Sequence, residues 1–338
     1  MSDNNSTARD NPVDAVILWV DGSDRALAEK RARYLSLEKT SGAHPGALPF
    51  RFASSDEIRY CILSILTYAS FIRNIFVVTD GQDPGLDKEI SERFPEKAGC
   101  LKIVDHKDIF RDYEQFLPTF NSSSIHSMIW RIKGLSERFV YFNDDVILIK
   151  DHSVADWFID NRPVLMGRWL LPPYRRYAFI KLKVLINRHL RNNKDYRPRI
   201  SFYIRQWKSA SVLGFSHRYF FHDHSPHPFS KKTLEDYFSA HPELLEKTIS
   251  YRFRDPDQVL VSSLAYHLEI LSGNSNFRKL RLGYFHPYYP DWRQKRRIRK
   301  CINNPGIKTV CIQSIEMMSQ PVREKIISFM ESVLNLKA

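Results

Sequence analysis

Two adjacent carboxylates interrupt an apolar strand pattern near the middle of the chain. Their position makes them the strongest candidates for a functional role. Residues 139–149 read Phe-Val-Tyr-Phe-Asn-Asp-Asp-Val-Ile-Leu-Ile, with Asn143, Asp144 and Asp145 at the centre. An unpaired carboxylate costs several kcal/mol to bury. We therefore expect the strand to end here, with its tip holding a metal cation or facing a charged ligand. A polar turn between two strands is the structural alternative.

An apolar run followed by an acidic turn occurs twice more, in residues 14–24 and 73–82, and both of these turns contain glycine. Residues 101–106 are a weaker example. The turns contain Asp21, Gly22 and Ser23 in the first case, and Asp80 and Gly81 in the second. Glycine lets the backbone approach a phosphate closely, and helix N–H groups favour the anion. Asp-Gly is also a common hairpin turn, so each turn alone has two interpretations.

Helical patterns separate these apolar runs and favour a largely parallel sheet over hairpins. Residues 58–68 place apolar side chains on one helical face, and Ser23 or Asp24 is positioned to cap a helix that starts near Arg25. Alternation of strands and helices is typical of α/β proteins. We predict an α/β fold with a mostly parallel sheet flanked by helices. Further helices are expected at 231–238, 256–268 and 320–334, and a short strand at 308–312.

The composition bounds the class of protein. The 338 residues are 43% hydrophobic and 13% aromatic, which is enough for one large domain with an insertion. No run of 18 apolar residues occurs, so we expect no membrane-spanning helix. The four cysteines, Cys61, Cys100, Cys301 and Cys311, show neither zinc spacing nor a disulfide framework, and Cys61 fits a buried helix position. We expect a cytoplasmic protein whose residues 1–12 form a disordered tail.

The net charge of +13 predicts anionic partners, and the positive charge is unevenly distributed. One basic cluster, between Gly167 and Lys208, is interleaved with aromatic residues; a second lies at 293–300. The cations of the first cluster are Arg168, Arg175, Arg176, Lys181, Lys183, Arg188, Arg191, Arg197, Arg199 and Arg205. This pattern indicates an RNA-binding or membrane-interface surface, or simply a solvated face. No nucleic-acid-binding signature occurs, so we favour an anionic membrane or polymer and expect no nucleic-acid partner.

These features divide the chain into a core at 13–165 and 209–338 and a basic insertion at 166–208, in which residues 192–195 mark a loop. The second part of the core holds three histidines and an aspartate within six residues, His222 to His227, and two prolines, Pro226 and Pro228, stiffen the loop. One histidine acting as general base is the favoured interpretation. Zinc binding and an ordinary surface loop are the alternatives.

Two arginines, Arg252 and Arg254, precede a helix that Asp255 is positioned to cap. Guanidinium groups match phosphate oxygens well. An acidic strand end, glycine turns, a stiff histidine loop and paired arginines together supply what phosphoryl transfer needs: positioning, charge neutralisation and a base. We expect Asp144 and Asp145 to bind Mg²⁺, or Mn²⁺, because carboxylates with substrate phosphates are the usual magnesium setting.

Four blocks of this chain together resemble the Stealth family of hexose-1-phosphate transferases, which includes bacterial capsule and exopolysaccharide phosphotransferases and the animal GlcNAc-1-phosphotransferase. They are residues 14–24; the series of segments from Asp56-Glu-Ile-Arg59 to Phe142-Asn-Asp-Asp145; His224-Ser-Pro-His-Pro228 continuing to Asp257; and Val310-Cys-Ile-Gln313 with the helix that follows. The resemblance does not cover the basic insertion.

The resemblance implies a Rossmann-like core and attack by an acceptor sugar hydroxyl on the sugar-linked phosphorus of a UDP-sugar, with release of UMP. The predicted catalytic residues are His224 as base, Arg252 as phosphate clamp, and Asp145. The remaining matched positions are expected to bind substrate or nucleotide. These are Trp19, Val20, Asp21, Gly22, Ser23, Arg59, Asp80, Gly81, Asn121, Ser122, Arg131 and Asn143.

Two other functions fit parts of the sequence. A metal-dependent glycosyltransferase would use the same acidic site and release UDP, and a basic RNA- or lipid-binding protein would use the arginine-rich insertion without a metal. For the favoured function, the partners are a UDP-sugar and a saccharide or polysaccharide acceptor. A peripheral contact with the anionic inner face of the cell membrane is also expected.

Overall fold

A computed structural model describes residues 11–37, 56–191, 196, 198 and 200–336. Most of the predicted tail, residues 1–10, and the predicted loop at 192–195 lie outside this part of the chain, as do Arg197 and Arg199. The strands are β1 (Val13–Leu18), β2 (Ile72–Thr79), β3 (Leu101–Asp105), β4 (Arg138–Asn143), β5 (Val146–Leu148), β6 (Phe158–Ile159), β7 (Arg162–Pro163), β8 (Leu165–Met166), β9 (Arg168–Leu170), β10 (Tyr219–Phe221), β11 (His227–Ser230), β12 (Phe277–Arg278), β13 (Leu282–Phe285) and β14 (Thr309–Ile312).

The α-helices connect and cover these strands. They are α1 (Arg25–Leu37), α2 (Glu57–Tyr68), α3 (Asp87–Arg93), α4 (His106–Ile109), α5 (Ser122–His126), α6 (Val154–Trp157), α7 (Tyr174–Leu185), α8 (Phe202–Val212), α9 (Lys231–Ala240), α10 (Pro242–Ile249), α11 (Val261–Leu271), α12 (Asp291–Asn303) and α13 (Gln320–Val333). A π-helical turn, Ile186–Leu190, extends α7. Within the described ranges, no helix is both long enough and apolar enough to cross a bilayer.

The central sheet has five strands in the order β11, β4, β1, β2, β3. Strands β1 to β4 pair in parallel, and β11 pairs antiparallel with β4 at one edge. The predicted α/β fold with a mostly parallel sheet is confirmed. The hairpin interpretation of the Asp-Gly turns is excluded because the strands that precede them are parallel neighbours joined through helices.

Both faces of this sheet are covered, which explains why its strands read as continuous apolar runs. Along β1, Ala15 and Ile17 pack into a core with Ile62 of α2, while Val16 faces a second core that contains Leu264 of α11. The strand is therefore buried on alternate sides by different helices. The fold positions the carboxyl ends of β1 and β4 at one edge, uncovered by either helical layer.

A second, three-stranded sheet explains the break at Asn143. It has the order β13, β14, β5, with β14 antiparallel to β5. The chain leaves the central sheet at the end of β4, turns at Asp144 and Asp145, and enters β5 of the other sheet. The strand therefore ends at Asn143, as expected, and the acidic residues also form a turn between two strands.

Most predicted helices appear within a few residues of their expected bounds. Helix α1 starts at Arg25 with Asp24 as its cap, whose Oδ1 accepts a hydrogen bond from the Ala26 N–H at 2.8 Å. The helix expected from residue 256 is an exception and begins only at Val261. Residues 255–258 form a turn instead, because the Gln258 side chain is buried in hydrogen bonds to α5 and the end of α10. Asp255 therefore does not cap that helix.

The insertion is less separate from the core than its composition suggests. Strand β9 pairs with β10, and α8 buries Ile204, Trp207 and Ala210 against the core. The expected boundary at residue 208 falls inside α8. Cys61 is fully buried in α2, as predicted, and all four cysteines are free thiols.

Candidate active site

The carboxyl ends of β1 and β4 meet where the order of strands reverses. From β1 the chain proceeds to β2 and β3 on one side, whereas β4 lies on the other side, with Leu18 in register with Asn143. Segments that leave two such strands diverge and open a crevice, the usual ligand position in open α/β sheets. Trp19 and Val20 follow one strand, and Asp144 and Asp145 follow the other.

Three of the four carboxylates that line this crevice interact electrostatically. Glu57, in the first turn of α2, lines the same cavity as the two aspartates. Burial, and next the neighbouring Asp145 and Glu57 carboxylates, raise the pKa of Asp144. Burial likewise raises the pKa of Asp145, even though the Cys311 thiol donates a hydrogen bond to its Oδ2 at 3.6 Å. These carboxylates therefore repel one another when ionised, and a cation would relieve that repulsion.

Two elements fix the acidic turn from behind. The Ile312 N–H of β14 donates to the Asp145 carbonyl at 2.9 Å. Helix α2 is bound to the strands on either side of the turn, because Ser64 Oγ accepts from the Leu148 N–H at 3.0 Å and the Cys61 thiol donates to the Asn143 carbonyl at 3.7 Å. The carboxylates are therefore held on rigid elements, as a preorganised site requires.

The donor set fits a magnesium ion that takes part of its coordination from substrate. Asp145 Oδ1 is buried and has no hydrogen-bond partner among the described residues. Among the described residues, no group of three or more His, Cys, Asp or Glu side chains is arranged to hold a metal ion without ligands from substrate or water. Magnesium commonly binds through one or two carboxylates plus phosphates and water, so Asp144 and Asp145 suit it.

A large cavity of about 280 Å³ opens over the carboxylates. Its walls come from α2, α5, α8, the end of β4, the histidine loop and the segments around residues 254 and 314. The lining residues are Glu57, Ser122, Ser123, His126, Tyr141, Asn143, Asp144, Asp145, Phe202, Arg205, His222, His224, His227, Arg254, Leu260, Ser262, Gln313, Ser314 and Glu316. Most of them are polar, as expected for a binding site for hydroxylated or charged ligands.

A smaller cavity of about 150 Å³ adjoins it and has more apolar walls. The predicted residues Trp19, Val20 and Asp80 line it, together with Phe120 and His106. Trp19 Nε1 is buried without a hydrogen-bond partner among the described residues, which leaves a donor available to a ligand. Burial lowers the pKa of His106 to about 4, so this imidazole is neutral at neutral pH.

The two glycine turns lie beside the smaller cavity and are bound to each other. Gln82 accepts from the Asp21 N–H and donates to Asp24, both at 2.9 Å. Asp21, Gly22, Ser23 and Gly81 are not among the residues that line the cavity. Gly81 adopts a φ of +71°, the left-handed region that favours glycine. Asp80 is paired with Lys30 at 2.6 Å, so its charge is already neutralised.

The two cavities share five lining residues, Ser122, Tyr141, Asn143, Asp144 and Arg254. Arg254 is the cation of this junction. It donates a hydrogen bond to Ser122 Oγ at 2.6 Å, and no carboxylate of the described residues lies within ion-pair distance of it. Burial, and then the nearby Arg205, lower the pKa of Arg254 to about 10. A partly buried guanidinium that is not paired with a carboxylate favours an anionic ligand.

A buried polar network holds this arginine segment against α5. The Asn121 side chain caps α5 at Ser123 and donates to the Tyr251 carbonyl at 2.9 Å and to Gln258 Oε1 at 2.8 Å. Arg205 of α8 donates to Ser123 Oγ at 2.8 Å. The predicted site residue Asn121 is thus fully buried, and its observed contacts position Ser122, Ser123 and the arginines.

The histidine loop lies at the site, and its side chains are not on the surface. His222 and His227 are buried, and the His227 Nδ1 lies 3.3 Å from the Tyr266 hydroxyl. His224 stacks on Phe202 at 4.8 Å between ring centroids, and no described residue hydrogen-bonds its ring nitrogens. Burial lowers the pKa of His224, although Asp223 opposes the shift. The surface-loop interpretation is wrong because β11 anchors the loop in the central sheet.

The three predicted arginines, Arg59, Arg131 and Arg252, also line neither cavity. Arg252 donates to the Pro118 carbonyl at 2.7 Å and lies over the Tyr34 ring at 4.6 Å. Arg59 forms a bidentate ion pair with Glu89 at 2.6 and 2.7 Å. Arg131 pairs with Asp112 at 3.1 Å and lies next to the Tyr113 ring.

Four acidic, basic or histidine side chains that line the larger cavity were not predicted as site residues, namely Glu57, His126, Arg205 and Glu316. The position of Glu57 could have been predicted from the sequence, since a glutamate at the start of an apolar helix can face the edge of the sheet where the strands end. Arg205 is one of many cations in the basic insertion, and nothing in its local sequence separates it from the exposed ones. His126 and Glu316 carry no local signal.

The fold and the site define a Rossmann-like α/β protein with an acidic turn and an arginine at the carboxyl ends of its parallel strands. Residues 11–37 match the model of Stealth protein conserved region 1, and residues 51–164 match conserved region 2. The chain belongs to the Stealth family, which confirms the predicted resemblance.

Named relatives agree with this assignment. An exopolysaccharide phosphotransferase of Streptomyces coelicolor is 33% identical over 278 residues, which are 81% of this chain and 27% of that protein. A capsular polysaccharide phosphotransferase of Streptococcus thermophilus is 31% identical over 188 residues, which are 55% of this chain and 75% of that protein. The chain thus spans well under half the length of its Streptomyces relatives, at 27% to 39% of three of them.

Among solved structures, the galactosyltransferase LgtC, determined with donor and acceptor sugar analogues, aligns over 94% of this chain and 95% of its own. The TM-score is 0.45, and the sequences are 10% identical.

Proposed function

We propose that the protein transfers a hexose-1-phosphate from a UDP-sugar to a hydroxyl of a saccharide acceptor, with release of UMP. The relatives are named capsular and exopolysaccharide phosphotransferases, and this chemistry would make a sugar phosphodiester. GlcNAc-1-phosphate or a related hexose phosphate is the proposed group. The observation that carries the proposal is the junction of the two cavities, where Asp144 and Arg254 face the same space.

The division into two cavities supports separate donor and acceptor positions. The smaller, more apolar cavity next to Trp19 suits the planar base and ribose of a nucleotide, and the larger polar cavity suits a hydroxylated sugar. A diphosphate bound across the junction would have its charge beside Arg254. Such an arrangement brings the acceptor hydroxyl to the sugar-linked phosphorus from the large-cavity side.

In the proposed reaction, the acceptor oxygen forms a new bond to the sugar-linked phosphorus. The bond from that phosphorus to the bridging oxygen of the diphosphate breaks, and its electron pair leaves with UMP. The neutral imidazole of His224 takes the proton of the hydroxyl, because its lowered pKa leaves it unprotonated at neutral pH. Arg254, rather than Arg252, neutralises charge on the transferred phosphate, since it lines both cavities.

Asp144 and Asp145 would hold a magnesium or manganese ion. When bound, this ion supplies charge neutralisation for the diphosphate. The carboxylates themselves keep their positions through β14 and α2.

Replacing Arg254 by alanine is expected to lower kcat by about 10²–10³, the usual effect of removing one preorganised electrostatic donor. Arg252→Ala is the matched control, two residues away, and should lower activity less than tenfold because the Arg252 side chain contacts Pro118 and Tyr34 and lines neither cavity. Steady-state kinetics of both variants with a UDP-sugar would test this. An inactive Arg252→Ala beside an active Arg254→Ala would assign the clamp to Arg252.

The nucleotide product decides between this reaction and that of an ordinary glycosyltransferase. A panel of UDP-sugars with magnesium and a capsule-type oligosaccharide acceptor should yield UMP and an acceptor whose new ³¹P signal is that of a phosphodiester. Release of UDP with a phosphate-free product would overturn the proposal in favour of glycosyl transfer. Asp145→Asn, assayed in parallel, controls for contaminating nucleotidases, because only turnover by this protein should depend on that residue.

A further inference from the structure

Helix α7 and the π-helical turn after it form a ridge with one covered side. The covered side contains Tyr177 and Ile180, which pack towards α8, and the Tyr177 and Trp207 rings lie 5.3 Å apart. No residue of α7 is fully buried. The opposite side of the ridge is therefore available to a partner, and its composition indicates what kind of partner fits.

Four large apolar side chains project from this ridge into solvent. Phe179, Leu182 and Leu185 are 56%, 50% and 55% exposed, and Leu190 in the π-helical turn is 81% exposed. Spaced three residues apart along α7, the first three lie on the side away from Ile180. We call these four residues the apolar stripe. Single exposed apolar residues are ordinary, but a contiguous stripe on one helix marks an interaction surface.

Positive charges flank the apolar stripe, and no acidic residue occurs anywhere between Asp160 and Asp195. At 100° per residue, Lys181 and Lys183 lie on either side of Leu182, and Lys183 Nζ is 4.7 Å from the centroid of the Phe179 ring. The exposed cations of the ridge are Arg175, Arg176, Lys181, Lys183, Arg188 and Arg191. An apolar stripe bordered by lysine and arginine is the pattern of a helix that lies in the plane of a membrane interface.

We propose that this ridge docks on an anionic membrane, with the apolar stripe in the acyl-chain boundary and the flanking cations on lipid phosphates. A soluble polyanion would satisfy the cations but leave Phe179 and the leucines in water. A second copy of this chain would bring two cationic ridges together. Only an anionic bilayer is complementary to both features of the ridge.

Docking would couple membrane contact to the large cavity through one helix. The Tyr174 ring of α7 contacts Trp207 of α8 at 5.2 Å, and α8 also contributes Phe202 and Arg205 to the cavity wall. The docking itself does not depend on the proposed reaction, so failure of one leaves the other intact.

The test is cosedimentation of the full chain with vesicles of phosphatidylglycerol and phosphatidylcholine, and with pure phosphatidylcholine vesicles. The wild type should bind the anionic vesicles only. A triple variant with Arg175→Gln, Lys181→Gln and Lys183→Gln should bind the anionic vesicles about 100-fold more weakly, because each cation near the membrane surface contributes about fivefold. Leu182→Ser with Leu185→Ser keeps every charge and should weaken it at least about tenfold.

The matched control removes three charges from the other basic helix. Arg296, Arg299 and Lys300 are exposed on α12, and replacing all three by glutamine should reduce vesicle binding less than fivefold. The proposal would be overturned if the α12 control lost as much vesicle binding as the α7 charge variant while the leucine variant bound normally. That result would mean that net charge alone attracts the protein to the vesicles. The proposal would also be overturned by a dimer in sedimentation velocity that the leucine variant abolishes, or by equal binding of a soluble anionic polysaccharide by the wild type and the leucine variant.

Discussion

Asp145→Asn should abolish turnover, with a loss of about 10³-fold or more, because metal-assisted charge stabilisation contributes several kcal/mol to such reactions. The variant should nevertheless fold. Asp145, Asp144 and Glu57 crowd negative charge into one buried place, so removing one charge relieves repulsion. In the absence of metal, we expect its Tm to equal or exceed that of the wild type.

Magnesium binding can be followed in this variant without any turnover. The wild-type Tm should rise with magnesium in the presence of UDP, since a ligand that binds only the folded state stabilises it. Asp145→Asn should lose this increase. Asp80→Asn is the control, because Asp80 also follows a strand of the central sheet but already pairs with Lys30 at 2.6 Å. An Asp145→Asn protein with near-normal activity and an intact magnesium response would remove the metal assignment.

His224→Ala should lower kcat by about 10²–10⁴, the usual contribution of a general base. The affinity for the UDP-sugar should change little, because His224 lines the larger cavity only, away from Trp19 and Val20. Measuring kcat for transfer and the Kd of the donor by calorimetry separates the two effects. A rate loss with unchanged donor affinity is the result expected of a base.

His227→Ala provides the comparison within the same loop. His227 is buried in β11, pairs in register with Tyr141 and lies 3.3 Å from the Tyr266 hydroxyl. Its replacement should lower the Tm because it leaves a buried cavity and removes the contact with the Tyr266 hydroxyl, while turnover falls less than for His224→Ala. If His227→Ala is the inactive variant and His224→Ala turns over normally, the base is His227.

The main features of the central sheet and the position of the acidic turn follow from local sequence. Continuous apolar runs such as β1 are typical of strands covered on both faces, and the helical pattern that became α2 requires a crossover, so a parallel sheet is predictable. Asp144 and Asp145 end their strand because burying two carboxylates inside it would be too costly. These are local effects, and the structure confirms them.

The directions of side chains in loops depend on tertiary contacts. The local sequence does not distinguish Arg252 from Arg254. Pro118 and Tyr34 contact the Arg252 guanidinium, whereas Ser122 binds the Arg254 guanidinium at the junction of the cavities. The start of α11 moved to Val261 because Gln258 is needed in a network with α5.

Partners that are distant in the chain completed the site. Glu57 joins the aspartates only because Cys61 and Ser64 bind α2 to the strands around the acidic turn. Arg205 reaches the cavity because α8 packs on β10 and not with the exposed cations of α7. The periodicity of apolar residues and the free-energy cost of burying carboxylates predict where strands lie and where their polar ends are. The direction of a side chain in a loop, and the burial of one cation among many, depend on neighbours that only the folded chain supplies.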